Sequence, residues 1–222
     1  MGASSNKYDF VNKSSLAYRQ EIWPEWKLPL SLKNMNLKND LFYPNWFEGV
    51  WSVEVLDNND KTRSIVVHDA RFLDDHNGHI IADRVFNAKS LGNKIFGDRL
   101  IDIIDDHSSP NRQLALFDND DYLESKVIRR SQDNSTKSQF VGDELFLQVF
   151  HGSLRTTITY VEVLSKYKLC SDFNDQKFNH QGLSICGEQL EAVYSQPGIS
   201  SQSDPIRTSH YRIILHKSLP KI

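Results

Sequence analysis

A chain of 222 residues, 39% hydrophobic and 11% aromatic, is long enough for one sizeable core and ordinary in composition for a soluble globular protein. With 26 basic against 29 acidic side chains the net charge is −3, so no basic field exists to capture nucleic acid or an anionic membrane, and nucleic acid is not an expected partner. No apolar run approaches the roughly 20 residues that span a bilayer, and the N-terminal MGASSNKYDF has neither the basic start nor the apolar centre of a secretory signal, so the chain as written reads as soluble.

In chain order, residues 1–40 are polar and read as an arm lying on the domain, with a short helix near 15–22 followed by WPEWKLPL, where Pro24 and Pro29 prevent regular structure. Residues 41–218 read as one β-barrel domain. Short runs rich in β-branched and aromatic residues recur there between turn clusters, the pattern of an antiparallel sandwich or barrel. Strands are expected at 49–56, 62–69, 78–86, 99–104, 112–118, 121–130, 142–150, 155–169, 187–195 and 207–217. Asn77-Gly78 and Asp118-Asn119-Asp120 suit tight reversals between them, as do the clusters at 58–60 and 108–111. One helix interrupts the rhythm, at 87–97: Asn87 or Ser90 can cap it, Leu91 and Ile95 lie one turn apart, and Gly97 can end it. So short a helix needs a surface to rest on, and a barrel opening offers one, which makes it a lid or plug.

In Asn45-Trp-Phe-Glu-Gly-Val-Trp51 the aromatic density falls just before the alternating run of the first strand. Trp51, Val53 and Val55 share one face of that strand and point where a core should be, while Gly49 clears space for close backbone approach at a barrel end. Gly49-Val-Trp51 resembles the Gly-x-Trp block of lipocalin-like barrels, in which the pair closes the barrel floor; Gly49 and Trp51 are given that structural role here. A longer ordered set is similar to an uncharacterised family of cyanobacteria and chloroplasts: LFYPNWFEGVW at 41–51, IADRVFN at 81–87, PNRQ at 110–113, ELFLQVF at 144–150, EQLEAVY at 188–194 and YRIIL at 211–215. The expected fold is therefore mainly β, a single antiparallel lipocalin-like barrel or strongly curved sheet with one or two short helices. The resemblance implies a photosynthetic setting, a thylakoid lumen or periplasm as location and a thylakoid-associated protein as a partner, and it implies no activity or cofactor. Two departures stand out: Glu162-Val-Leu-Ser-Lys-Tyr167 replaces a Thr-rich run, and 170–186 reads as an insertion carrying both cysteines.

Cys170 and Cys186 are the only cysteines. They are too few for a four-ligand zinc cage and too far apart for a redox pair, which leaves a disulfide stapling the intervening loop or two unpaired thiols. The eight histidines lack partners at diagnostic spacing and read as solvated turn or strand residues, with no metal site. Asp83, Arg84 and Asn87 fall at a strand–helix junction, and Asn111, Arg112 and Gln113 open another strand. Polar residues at strand ends can converge on a barrel mouth, so Arg84, Asn87 and Arg112, with Phe86, Leu91 and Phe96 as apolar wall, form the candidate ligand site. Arg84 and Arg112 would grip an acidic tail, and as exposed charges they would be removable at little cost in stability. The structural alternative has Asp83 paired with an Arg and Asn111 capping its own turn. In the seventh strand Glu144, Phe146, Gln148 and Phe150 share one face and Leu145, Leu147 and Val149 the other; apolar matter on both sides suits a wall covered by the N-terminal arm or an interior holding ligand. Burial preferences favour Glu144 and Gln148 facing water. Three functions fit: a carrier of a small apolar or amphipathic molecule (tetrapyrrole, carotenoid or lipid), a bilin lyase-like enzyme, or a ligand-free assembly module.

Overall fold

The computed structural model describes residues 16–28, 40–59, 62, 64–106, 109, 111–133, 138–170, 183–195 and 204–218. The loop between the cysteines and most of the N-terminal arm, including Pro29, lie outside these residues. Among the described residues ten antiparallel strands form one strongly curled sheet, a half-barrel. They are β1 Gly49–Asp57, β2 Ile65–Asp74, β3 Ile80–Ala82, β4 Leu100–Asp105, β5 Arg112–Phe117, β6 Tyr122–Asp133, β7 Gln139–His151, β8 Thr156–Leu169, β9 Ser184–Ser195 and β10 Arg207–Lys217. Among the described residues two α-helices accompany them, α1 Leu16–Glu21 and α2 Arg84–Phe96.

The strand order is β3-β2-β1-β10-β9-β8-β7-β6-β5-β4. Strands consecutive in sequence pair throughout except β3 with β4, and β1 pairs with both β2 and β10, as closure of an up-and-down barrel requires. The ring therefore lacks one ladder. The connection that would have made it is α2, which packs on β2 and β4 and so spans the gap between the two ends of the sheet.

The helix starts earlier than the sequence spacing suggests. Strand pairing stops at Ala82, and Asp83 becomes the N-cap, its carboxylate accepting from the Phe86 N–H at 3.1 Å. Val85 and Ala88 then face the small core around Leu100, Ile103 and Phe117, so helical periodicity begins in residues that an extended reading assigned to the third strand. Gly97 ends the helix at φ 58. Gly92 faces Leu100 so closely that an added Cβ would fall 2.6 Å from the Leu100 side chain, which fixes how near α2 lies to β4.

Alternation along the strands sorts residues to two covered faces. Inside the curl, Trp51, Val53, Ala70, Phe72, Ile213 and Leu215 pack with Phe47 and Phe140. Outside, Val141, Leu145, Leu164, Leu190 and Tyr194 are covered by Trp26 and Leu28 of the N-terminal arm. That second layer explains why β7 is apolar on both faces. Trp51 has no exposed surface, its indole N–H donates to the Phe47 carbonyl at 2.6 Å, and the Lys217 ammonium lies 4.5 Å from its ring centroid. Gly49 has φ 109, a backbone conformation that disfavours any side chain, and a Cβ there would also displace the same ammonium, 2.8 Å away. Cys170 and Cys186 form a disulfide, with Cα atoms 5.2 Å apart, joining the end of β8 to β9. Among the described residues no helix is long and apolar enough to cross a membrane.

Candidate functional site

The inner face does not fill the curl. A cavity of about 350 Å³ lies between β1, β2, β10 and α2, walled by Val53, Val55, Val66, Leu91, Ile95 and Ile213, with His68, Gln189, Glu191 and Tyr211 supplying polar groups. A second hollow of about 290 Å³, lined by Tyr43, Phe140, Phe146 and Val163, shares Tyr167 and Gln189 with the first. Burial pushes the Tyr167 hydroxyl up to about 12 and holds it neutral.

Helix α2 forms one wall by replacing a strand with side chains. The open edge of β2 carries backbone groups that need partners. Asn87 Oδ1 accepts from the Arg71 N–H at 2.6 Å, Asn87 Nδ2 donates to the Arg71 carbonyl at 3.1 Å, and Ser90 Oγ accepts from the Asp69 N–H at 2.8 Å. The same turn of helix places Asn87 and Leu91 in the cavity wall.

Arg84 and Arg112 do not meet. Arg84 donates to Asp40 through Nε at 2.8 Å and to Glu144 at 3.0 Å, and Arg130 donates to the same Glu144 oxygen at 2.7 Å. Arg112 is held by Glu124 at 2.7 Å and Asp106 at 2.9 Å. Register puts the two sets on opposite faces: Arg112 lies opposite Lys126 and thence Leu147, three residues from Glu144 on a regularly paired strand. Phe86 lies against the Arg71 guanidinium at 4.5 Å, and Phe96 is exposed and edge-on to Phe117 at 5.1 Å. Of the six residues proposed from sequence, Asn87 and Leu91 thus reach the cavity. The expectation that Arg84 is an exposed, dispensable charge is corrected: its side chain is only 17% exposed within the Asp40–Glu144–Arg130 network. Glu144 likewise faces the interior, not water, because Arg84 and Arg130 compensate it there. Burial acts to raise the Asp40 carboxyl, but the Arg84 hydrogen bond and the charges of Arg84 and Arg130 outweigh it and hold the group below its usual range. Asp83 pairs with Arg71 at 2.5 Å, as the structural alternative proposed.

A second ionic cluster was not foreseen. Under the arm, Glu162 is fully buried and bonds Arg19 of α1, Arg129 at 2.5 Å and the Tyr194 hydroxyl at 3.1 Å. Asp143 beside it contacts Arg129 at 3.1 Å; burial, then the neighbouring Glu162, pushes its carboxyl up to about 7. Asp143 sits between Val141 and Leu145, and Glu162 between Tyr160 and Leu164, on an apolar face. A carboxylate interrupting such a face was the available signal. The cluster fixes the arm to the sheet, with the Arg19 guanidinium 4.6 Å above the Trp26 ring.

These features define a curled up-and-down β-sheet, bridged by a helix, around a half-open hollow lined mainly by apolar groups. Residues 54–219 match the family described as Domain of unknown function (DUF6816), and the chain belongs to that family. The match begins just beyond Trp51, so the aromatic block at 41–51 precedes it. No curated protein and no solved structure matches the chain.

Proposed function

We propose that the protein binds a small, mainly apolar molecule inside its curled sheet. The observation that carries this reading is the cavity of about 350 Å³ between β1, β2, β10 and α2, with its aliphatic walls and few polar groups. Small-molecule sites have this composition and span roughly 300–1,000 Å³. The volume is at the lower end, which favours a lipid-like chain over a carotenoid or an intact four-ring tetrapyrrole. The resemblance to a family of photosynthetic lineages supports a ligand belonging to such membranes. Binding of the neutral dye Nile red tests the proposal: its fluorescence should rise saturably with the native protein and much less with Leu91→Trp or Val55→Phe, each of which fills the cavity. Equal binding by variants that retain the native circular dichroism spectrum would refute it. A second reading, a protein-assembly module, draws on edge strand β4, whose Ile101 and Ile104 are 61% and 43% exposed.

A further inference from the structure

Resting on that reading, we infer that the cavity takes a ligand whose polar end is neutral or cationic and donates hydrogen bonds, and that it rejects carboxylic acids. Among the described residues, Glu191 is the one formally charged side chain lining the larger hollow, and Glu144 the one lining the smaller. Among the described residues no Lys or Arg lines either. Glu144 is already matched by Arg84 and Arg130 and has little left to offer a ligand. Glu191 is different: Arg207 meets only its Oε1, at 3.0 Å, and that Arg is 65% exposed, so water screens the cation while the carboxylate, 16% exposed, stays at the cavity. Burial acts to raise the Glu191 carboxyl and Arg207 opposes it.

His68 supplies the second acceptor. Its Nδ1 lies 3.0 Å from the Asp69 carbonyl, which can only accept, so Nδ1 carries the proton and Nε2 presents a lone pair. Burial favours the neutral ring. Gln189 and the tyrosine hydroxyls are neutral and serve either polarity, so discrimination against an acid falls to the charge of Glu191, while His68 serves as an acceptor for a neutral donor. An alcohol, amide or amine finds acceptors there. A carboxylate finds a like charge, and like charges brought together in a partly desolvated site are strongly disfavoured.

The test uses the intact protein with bound Nile red and three chain-matched competitors, decylamine, decanol and decanoate, near neutral pH. Decylamine and decanol should displace the dye, and decanoate should be weaker by about ten-fold or more. Glu191→Gln, nearly isosteric, should shrink the amine-to-acid preference by about ten-fold, and His68→Phe should weaken decanol while sparing the preference for amine over acid. Equal displacement by decanoate and decanol, or an unchanged preference in Glu191→Gln, would overturn this inference while leaving the cavity reading intact. Failure of the native protein to bind Nile red more than Leu91→Trp does would remove the cavity reading and this inference with it.

Discussion

Replacing Asn87 by Ala tests whether α2 stands in for a strand. The side chain makes two hydrogen bonds to the Arg71 backbone, at 2.6 and 3.1 Å, extending the edge of β2 beyond the Asp83 N–H, which also donates to the Arg71 carbonyl at 2.9 Å. Each such bond contributes about 1 kcal/mol net, and the pair about 2. Ala is a better helix former than Asn by up to about 0.7 kcal/mol, so Asn87→Ala should destabilise by about 1.5 kcal/mol. Ser90→Ala is the internal control: it removes one exposed bond to Asp69, and improved helix propensity should nearly offset the loss. Asn87→Asp should do worse than Ala, because a carboxylate oxygen would then face the Arg71 carbonyl. Urea denaturation followed by tryptophan fluorescence gives these differences, and hydrogen exchange at the Arg71 amide should accelerate in Asn87→Ala before global unfolding. A loss below about 0.3 kcal/mol in Asn87→Ala, or an equal loss in Ser90→Ala, would refute the edge-replacement argument.

Trp51→Ala should cost about 3–5 kcal/mol in the same assay, since a fully buried aromatic and its bond to the Phe47 carbonyl are both lost; a cost under about 1 kcal/mol would show that it is not part of the core. Arg84→Met should destabilise by about 2–4 kcal/mol by leaving Asp40 and Glu144 to Arg130 alone, whereas Arg112→Met, on the exposed face, should cost less than about 1 kcal/mol; equal costs would contradict the placement. Asp143, pushed up to about 7 by burial and then by Glu162, contributes stability that is present below its ordinary value of 3.8 and is lost as pH rises through about 7. Urea midpoints at about pH 5 and about pH 8 should therefore show Asp143→Asn gaining on the native protein as pH rises; a constant difference would contradict the shift.

Much of the fold was legible because period-2 patterning and turn chemistry are local signals. All ten strands were placed, β10 to the residue, and the turn at Asn77-Gly78 is taken by Gly78 at φ 84. The β3–α2 junction was misplaced because Val85 and Phe86 suit a strand as well as a helix, and what decides between them is where pairing with β2 stops, at Ala82, so that Asp83 caps the helix. The site was less legible. Residue type alone makes Arg84 and Arg112 equivalent, yet one points into a compensated network and the other to the opposite face, a consequence of strand register. Glu191 and His68 carry no local mark, since each is polar in an alternating strand and becomes distinctive only when the sheet curls over it. Glu144 was expected to face water for the same reason: its compensating partners lie far away in sequence, on α2 and β6.

Occupancy of the hollow between β1, β2, β10 and α2 is tested most directly by methyl NMR during a decanol titration. Saturable shifts, with intermolecular NOEs, should appear at Val53, Val55, Val66, Leu91 and Ile213, which line the cavity, and not at the outward-facing Ile65, Ile101 and Leu154. Shifts confined to those outward methyls, with the cavity methyls unmoved, would contradict internal binding.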